Sequence, residues 1–262
     1  MIKNFGYNLA IKKRSGSPKI ALFLGHLGLG DQIWLSGAVR YIAPFYDYVH
    51  LVCKVTNLKT LEMLYSDLSS IKFITVYDGY SILPTPTSKG YCFPIPDGKY
   101  VAVYECGFYK RSTSEFNMHD LPGAFYDDLS IPRSVRSTHF VVPNISESVT
   151  LYNQIKERPY IFVQTRSSEQ TTDIVSWDIH SILTIDPNIN QYAPDHPWYE
   201  IARMFVNKPF LHYMDTIKHA TELHMVNSSF YTLASQLSPL DATVKKCYDR
   251  DTKEVMPQYD YH

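Results

Sequence analysis

The stretch KIALFLGHLGLGDQIWLSGAVRYI, residues 19–42, decides the fold class. It begins with a short apolar run, continues through a glycine-rich turn and ends in a segment whose apolar residues recur at helical spacing. Further strands are predicted at 48–54 and 71–78, with an amphipathic helix at 58–68 between them. Alternating strands and helices are typical of a parallel sheet with right-handed crossovers. The first part of the chain is therefore predicted to be a Rossmann-like α/β unit.

A second α/β unit, smaller than the first, is predicted further along the chain. Its first strand is RPYIFVQT at 158–165, and a helix is expected at 196–205. Short strands are expected at 209–213 and 222–226, and the last helix and strand follow before residue 249. The sequence thus predicts a two-unit α/β protein.

The boundary between the two units is expected at residues 142–148. A proline and an asparagine stand there, just before a predicted helix. This position divides the chain into an N-terminal unit, residues 1–145, and a C-terminal unit, residues 146–262.

Composition and charge exclude several classes of protein. The chain has 262 residues, of which 45% are hydrophobic and 19% are charged, so it can build a core. Its formal net charge is -1, which leaves no basic excess for a nucleic-acid partner. Mean hydropathy is -0.21, and no apolar run is long enough for a transmembrane segment.

The cysteines indicate the expected compartment. The four cysteines form no CxxC pair, so neither a metal site nor a redox motif is predicted. Buried free thiols are typical of a reducing compartment, and the polar first residues do not resemble a signal peptide. We expect a cytoplasmic protein that binds no metal.

The glycine-rich turn is the first candidate for a ligand site. Gly28 and Gly30 stand between a strand and a helix, where glycines let a ligand approach the backbone. A dinucleotide site also needs an acid at the end of the second strand, to bind a ribose. Cys53 and Lys54 stand there instead. An NAD(P)-dependent enzyme therefore stays a weaker alternative.

Asp31 and His26 are the candidate catalytic residues of this turn. A carboxylate directly after the last glycine would repel a phosphate. Asp31 is either a first-turn acid that the helix dipole stabilises, or a general base at the carboxyl edge of the sheet. His26 is the second candidate, with a hydrogen-bonding loop residue as the alternative.

These residues resemble a known family. HLGLGDQIWLSGAVRYI is similar to the first loop and helix of the heptosyltransferase-like GT-B glycosyltransferases, and HATELHMVNSSFYTLASQL at 219–237 looks like their late strand, turn and helix. Related viral and bacterial glycosyltransferase-like proteins share the GLGD loop and the ELH…SSF segment. The resemblance implies a GT-B-like fold, with two Rossmann-like units facing a cleft. It also implies an inverting, metal-independent transferase with Asp31 as its general base.

The second turn is the candidate donor site. Asn227, Ser228 and Ser229 open a helix, so their N–H groups and hydroxyls would converge on one anion. A plain helix cap is the alternative, and the match of the first turn favours the donor site. The resemblance also implies that Glu222 binds the donor ribose.

A third turn, TRSS at 165–168, follows the first strand of the second unit. Arg166 would clamp a diphosphate, with Ser167 beside it, and a surface arginine is the alternative. The family expects a lysine a few residues further on, where this chain has Glu169, Gln170, Thr171 and Thr172. Thr232 also replaces the histidine of the family.

The function that the sequence predicts is transfer of a sugar from a nucleotide-diphosphate donor to a hydroxyl of a glycan or related acceptor. The nucleotide sugar is a co-substrate, and no further cofactor is expected. The missing lysine favours the first alternative, a non-catalytic GT-B-like module that binds a glycan or a partner. An NAD(P)-dependent Rossmann enzyme is the second alternative.

Overall fold

The computed structural model describes residues 17–77, 100–107, 110, 120–167, 181–252 and 254–256. The long loop predicted at 81–99 and the missing-lysine stretch at 169–172 lie outside these residues.

The first half of the chain alternates strands and helices, as predicted. Its strands are β1 (Ile20–Leu24), β2 (Tyr48–Lys54), β3 (Ile71–Val76) and β4 (Tyr100–Glu105). Its helices are α1 (Leu29–Trp34), α2 (Ser36–Ile42), α3 (Leu58–Leu64), α4 (Leu121–Leu129) and α5 (Val135–Thr138), with short 3-10 turns at Ala43–Phe45 and Val55–Asn57. The strands form one parallel sheet in the order β3-β2-β1-β4.

The second half builds another parallel sheet. It contains α6 (Ser146–Tyr152), β5 (Tyr160–Gln164), β6 (Leu183–Ile185), α7 (Tyr199–Arg203), α8 (Met214–Lys218), β7 (Glu222–Val226), α9 (Ser229–Gln236) and β8 (Val244–Tyr248). The strand order is β6-β5-β7-β8. Each sheet has four described strands, so the second unit is not smaller in strand number. The strands of the two sheets lie on opposite sides of residues 142–148 in the chain.

The strand predicted at 209–213 is wrong, because this segment is a 3-10 helix at Phe210–Tyr213 that leads into α8. His212 N donates to Pro209 O at 3.0 Å, which closes a tight turn. Leu211 and Tyr213 have the alternating spacing of a strand, but both side chains are buried from within this turn. Strand β6 was not predicted, since three residues are too few to show a period.

The helical segment at the end of residues 19–42 begins earlier than its apolar spacing indicates, at Leu29 within the glycine-rich turn, and is interrupted at Leu35. Tyr126 accounts for the interruption. Its hydroxyl donates to Trp34 O at 2.9 Å and accepts from Ala38 N at 3.2 Å, where an unbroken helix would place its own bonds. The earlier start places Gly30 and Asp31 inside the first turn of α1.

The two halves share one hydrophobic core. A single cluster of buried side chains includes Phe23 from the first sheet and Phe162 from the second. Helices α1 and α9 pack together across the halves, and Gln236 Nε2 donates to Ile33 O at 3.1 Å. Within the described part of the chain, no helix is long and apolar enough to cross a bilayer.

Candidate active site

A cavity of about 1510 Å³ lies between the two halves. Its walls include the turns that follow β1, β2, β5, β7 and β8, at the carboxyl ends of parallel strands, and residues of α4 and α5. In the first sheet β1 lies between β2 and β4, and in the second sheet β5 lies between β6 and β7. The strand order changes direction at β1 and at β5, and ligands of open α/β sheets bind at such switch points. The predicted GT-B-like arrangement, two Rossmann-like units facing a cleft, is confirmed.

Asp31 faces this cleft from the first turn of α1. Its side chain is 27% exposed and its Oδ2 lies 3.7 Å from His26 Nδ1, whose side chain is only 10% exposed. Both residues line the cavity, and the carboxylate is the more exposed of the two. The structure brings the two predicted catalytic residues together and makes Asp31 the more accessible one.

Gly28 leaves room for the Asp31 carboxylate. A β-carbon built on Gly28 would lie 2.7 Å from Asp31 Oδ2, closer than such atoms approach. Any side chain at this position would displace the carboxylate. This contact is a different use for Gly28 from the expected one, which was to admit a ligand to the backbone.

His26 is held in place by packing and by one backbone bond. Its ring meets Phe125 edge-on at 4.8 Å and lies over Gly107, where a β-carbon would overlap it. The His26 carbonyl accepts a hydrogen bond of 2.5 Å from Gln32 Nε2. Gly107 is fixed in turn, since its N–H donates to buried Asp128 Oδ2 at 2.9 Å. These contacts thus fix the His26 imidazole beside Asp31.

Gly30 is the point where the two halves touch at the cleft. A β-carbon on Gly30 would lie 3.1 Å from Thr232 Oγ1 and 3.6 Å from Ser229 Cα. A side chain here would be tight against Thr232, so glycine favours the close approach of α1 to α9. Because Asp31 follows Gly30 in the chain, this packing brings Asp31 close to the start of α9.

The start of α9 forms the opposite wall. Asn227, Ser228 and Ser229 all line the cavity, as predicted. Ser228 is the N-cap residue of α9, but its hydroxyl donates to Gln164 Oε1 at 2.9 Å and no side chain makes a capping hydrogen bond to the helix. The first N–H groups of a helix have no partner within it, so an uncapped start is suited to an anion.

Gln164 links two of the predicted donor residues and was not predicted itself. It is the last residue of β5 and is 1% exposed. While its Oε1 accepts from Ser228, its Nε2 donates to the carbonyl of Arg166. The Arg166 side chain is exposed and lines the cavity together with Ser167. Gln164 thereby ties the turn after β5 to the turn after β7.

A buried carboxylate supports the same wall from beneath. Asp186 is 2% exposed and its Oδ2 accepts from Thr165 Oγ1 at 2.7 Å and from Gln191 Nε2 at 2.8 Å. Its Oδ1 accepts from Asn188 N at 2.8 Å. Burial raises the pKa of Asp186, and these hydrogen bonds oppose the rise. Asp186 thus ties Thr165, at the start of the Arg166 turn, to Asn188 and Gln191, which follow β6.

Glu222 does not lie with these residues. It is the first residue of β7, about 13 Å along the strand from Val226, at the edge of the sheet opposite to the cleft. Its Oε2 is 3.0 Å from His224 Nε2, and burial lowers the pKa of that histidine. The expectation that Glu222 binds the donor ribose is therefore corrected by the direction of the strand.

The cleft also contains side chains that the sequence did not single out. Arg250 follows β8 and lines the cavity beside the start of α9. On the wall of the first half, the Arg136 guanidinium lies 5.0 Å over the ring of Trp34, and both side chains line the cavity. Among the described residues, no group of three or more His, Cys, Asp or Glu side chains is placed to bind a metal ion.

Comparisons with known proteins give fold similarities only. No protein-family model matches the chain. No significant match to a curated protein was found.

Two solved structures are similar over most of the chain. The iron-containing dodecameric glycosyltransferase TibC from enterotoxigenic E. coli H10407 is 15% identical over 87% of this chain, with a TM-score of 0.46, and this chain spans 57% of it. ADP-heptose LPS heptosyltransferase II of E. coli is 11% identical over 87% of this chain and 89% of its own, with a TM-score of 0.44. At these values neither similarity assigns a function.

Proposed function

We propose that this chain is a metal-independent, inverting glycosyltransferase that moves a sugar from a nucleotide-diphosphate donor to a hydroxyl of a glycan or related acceptor. One observation carries the proposal. The carboxylate of Asp31 and the uncapped start of α9 border one cleft, and the helices that carry them pack together at Gly30 and Ser229. A base beside an anion site suits a reaction in which a hydroxyl loses a proton and an anion leaves.

Asp31 is the general base of this reaction. Its carboxylate accepts the proton of the acceptor hydroxyl while that oxygen forms a bond to the anomeric carbon. The bond from that carbon to the diphosphate oxygen breaks, and its electron pair leaves with the diphosphate. Attack from the face opposite to the leaving group inverts the anomeric centre. His26, whose Nδ1 lies 3.7 Å from Asp31 Oδ2, positions the carboxylate.

The leaving diphosphate binds at the wall of the second half. The N–H groups at the start of α9 carry partial positive charge and are suited to bind an anion. The exposed Arg166 adds a cation with a planar fork of donors. Asn227, Ser229 and Ser167 line the same wall. These groups offset the charge of the diphosphate without a metal ion.

The two halves then have separate roles. Residues 1–145 carry the base and bind the acceptor, and residues 146–262 bind the donor. Glu222 has no part in the donor site, since it lies at the far edge of its sheet.

One side chain disfavours the dinucleotide alternative. Lys54 ends β2 and lines the cleft at the position where a dinucleotide-binding enzyme needs an acid for the ribose. A ligand with a phosphate suits Lys54 better than one whose ribose must be bound there.

A thermal-shift screen without divalent metal tests the proposal. UDP, GDP and ADP are compared with NAD⁺ and NADP⁺ at the same concentrations. At least one nucleoside diphosphate should raise the melting temperature, because a ligand that binds only the folded state stabilises it. Stabilisation by NAD⁺ or NADP⁺ alone would overturn the proposal, as would no response to any diphosphate.

Diphosphate binding alone does not separate an enzyme from a non-catalytic binding module. The nucleotide sugars of the stabilising nucleoside are therefore assayed for diphosphate release in the presence of glycans. Release and its loss in Asp31→Asn are expected of the enzyme. Binding without release would favour the module.

A further inference from the structure

The start of α9 lies between two arginine-bearing turns. β7, which leads into α9, is paired with β5 on one side and β8 on the other. Arg166 follows β5 and Arg250 follows β8, and both line the cleft. Strands in a sheet are about 4.8 Å apart, so the two turns leave the sheet about 10 Å apart, on either side of α9.

Two hydrogen-bonded contacts hold the Arg250 turn. Asp249 Oδ1 accepts from Asp251 N at 2.8 Å and from Thr252 N at 2.9 Å. Beyond the turn, the chain returns antiparallel to β8, with Asp249 N donating to Glu254 O at 2.9 Å. The backbone bonds to its carboxylate hold the pKa of Asp249 below its usual value, so it keeps its charge at neutral pH.

The guanidinium of Arg250 is directed at the wall of the donor site. Its Nε donates to the carbonyl of Asn227, the residue just before the N-cap of α9. That bond holds the guanidinium beside the turn before α9. Asp249 and Asp251, on either side of Arg250 in the chain, also line the cavity, and Asp251 is exposed, so solvent screens its charge.

We infer that Arg250 is a second cationic contact of the donor diphosphate, opposite Arg166, and that the two arginines clamp it across the start of α9. The inference rests on the proposed function and adds a residue to its donor site. It also gives that site a preference: two cations on either side of one helix start favour a diphosphate over a monophosphate.

Calorimetric titration with inorganic pyrophosphate and orthophosphate tests the clamp without a choice of nucleotide. The variants are Arg250→Gln, Arg250→Lys and Arg166→Ala. Arg203→Gln is the control, because Arg203 is an exposed arginine of α7 whose partner is Glu200. The melting temperature of every variant is measured alongside.

Arg250→Gln should weaken pyrophosphate binding by about 10- to 100-fold, the effect of removing a hydrogen bond between charged groups. It should affect orthophosphate less, so the ratio of the two dissociation constants falls. Arg250→Lys should recover part of the affinity, since the charge remains but the fork is lost. The control should bind as the unaltered chain does.

The failures are distinguishable. If the unaltered chain binds pyrophosphate and Arg250→Gln binds it equally well, the clamp is overturned and the proposed function stands on α9 and Arg166. If the unaltered chain binds neither pyrophosphate nor any nucleoside diphosphate, both are overturned. Should Arg250→Gln fail to fold, Arg250→Lys decides, because unchanged affinity in that variant contradicts a role for the fork.

Discussion

Gly30 packs against Thr232 so closely that a β-carbon on Gly30 would lie 3.1 Å from Thr232 Oγ1. This contact joins the helix that carries Asp31 to the helix whose start forms the donor wall. In the proposed reaction, the packing of α1 on α9 therefore sets the distance between Asp31 and the leaving diphosphate. A change at this contact should be felt both in stability and in catalysis.

The substitution Gly30→Ala tests the contact. The added methyl group would lie 3.1 Å from Thr232 Oγ1 and should push α1 away from α9. Overpacking typically costs 1–3 kcal/mol, and the better helix propensity of alanine offsets part of it, so we expect a net loss of about 1 kcal/mol. Denaturant unfolding measures this free energy.

Thr232→Ala provides the matched background, since it removes the oxygen that the methyl group would meet. In this background Gly30→Ala should cost little, giving a coupling energy of about 0.5–1 kcal/mol in a double-mutant cycle. Additive effects of the two substitutions would mean that the contact does not separate the helices.

Gly28→Ala should act through Asp31 alone. The new methyl group would lie only 2.7 Å from Asp31 Oδ2, so the carboxylate must move. We expect turnover to fall about 10- to 100-fold, within the range of general-base effects, with diphosphate affinity unchanged. Steady-state kinetics and calorimetry measure the two quantities.

The double variant Gly28→Ala with Asp31→Asn is the control for that assignment. Once the carboxylate is gone, the methyl group should do no further harm, so the double variant should match Asp31→Asn. A further large loss in the double variant would show that Gly28 serves another purpose, such as contact with a ligand.

Gln164→Leu should loosen the donor wall. The substitution leaves the 8% exposed Ser228 without its acceptor and frees the Arg166 backbone. We expect a loss of stability of about 1–3 kcal/mol, the cost of an unsatisfied buried polar group, together with weaker diphosphate binding. Ser228→Ala in the same chain should restore part of the stability but not the affinity. Unchanged affinity in Gln164→Leu would remove Gln164 from the donor wall.

The buried cysteines should resist thiol reagents in the folded chain. Burial raises the pKa of Cys53 to about 11 and that of Cys247 to about 12, and it raises the pKa of Cys106 well above its usual value. A raised pKa leaves little thiolate, the reactive form, at neutral pH. Mass spectrometry after alkylation at pH 7.5 should find these three unmodified until the chain is unfolded. Rapid labelling of the native chain would contradict their burial.

Much of the fold could be predicted because strand and turn signals are local. The predicted strands at 48–54 and 222–226 match β2 and β7 at both ends. In both segments apolar residues are interrupted by a single histidine, and apolar residues that recur in a short segment between turns indicate a strand. The 3-10 segment Phe210–Tyr213 was mistaken for a strand because its burial depends on the path of the chain rather than on local periodicity.

The site was predictable where its residues follow strands. Asp31, Arg166 and Ser228 all stand in such turns, and parallel strands bring their carboxyl ends to one edge. Gln164 was missed because it lies within a strand and its partner Ser228 is 64 residues away. Arg250 follows the last strand, β8, so its place at the cleft could have been predicted from the same signal as that of Arg166, a polar residue in the turn after a parallel strand.

The role of Asp31 as the general base is tested most directly by Asp31→Asn. The measurement is the rate of nucleoside diphosphate release from the nucleotide sugar that the chain uses, with the dissociation constant of that diphosphate determined in parallel. The substitution is nearly isosteric, so binding and stability should stay within about twofold of the original, while the rate should fall about 10²–10⁴-fold. An Asp31→Asn chain that releases the diphosphate at the original rate would contradict the account.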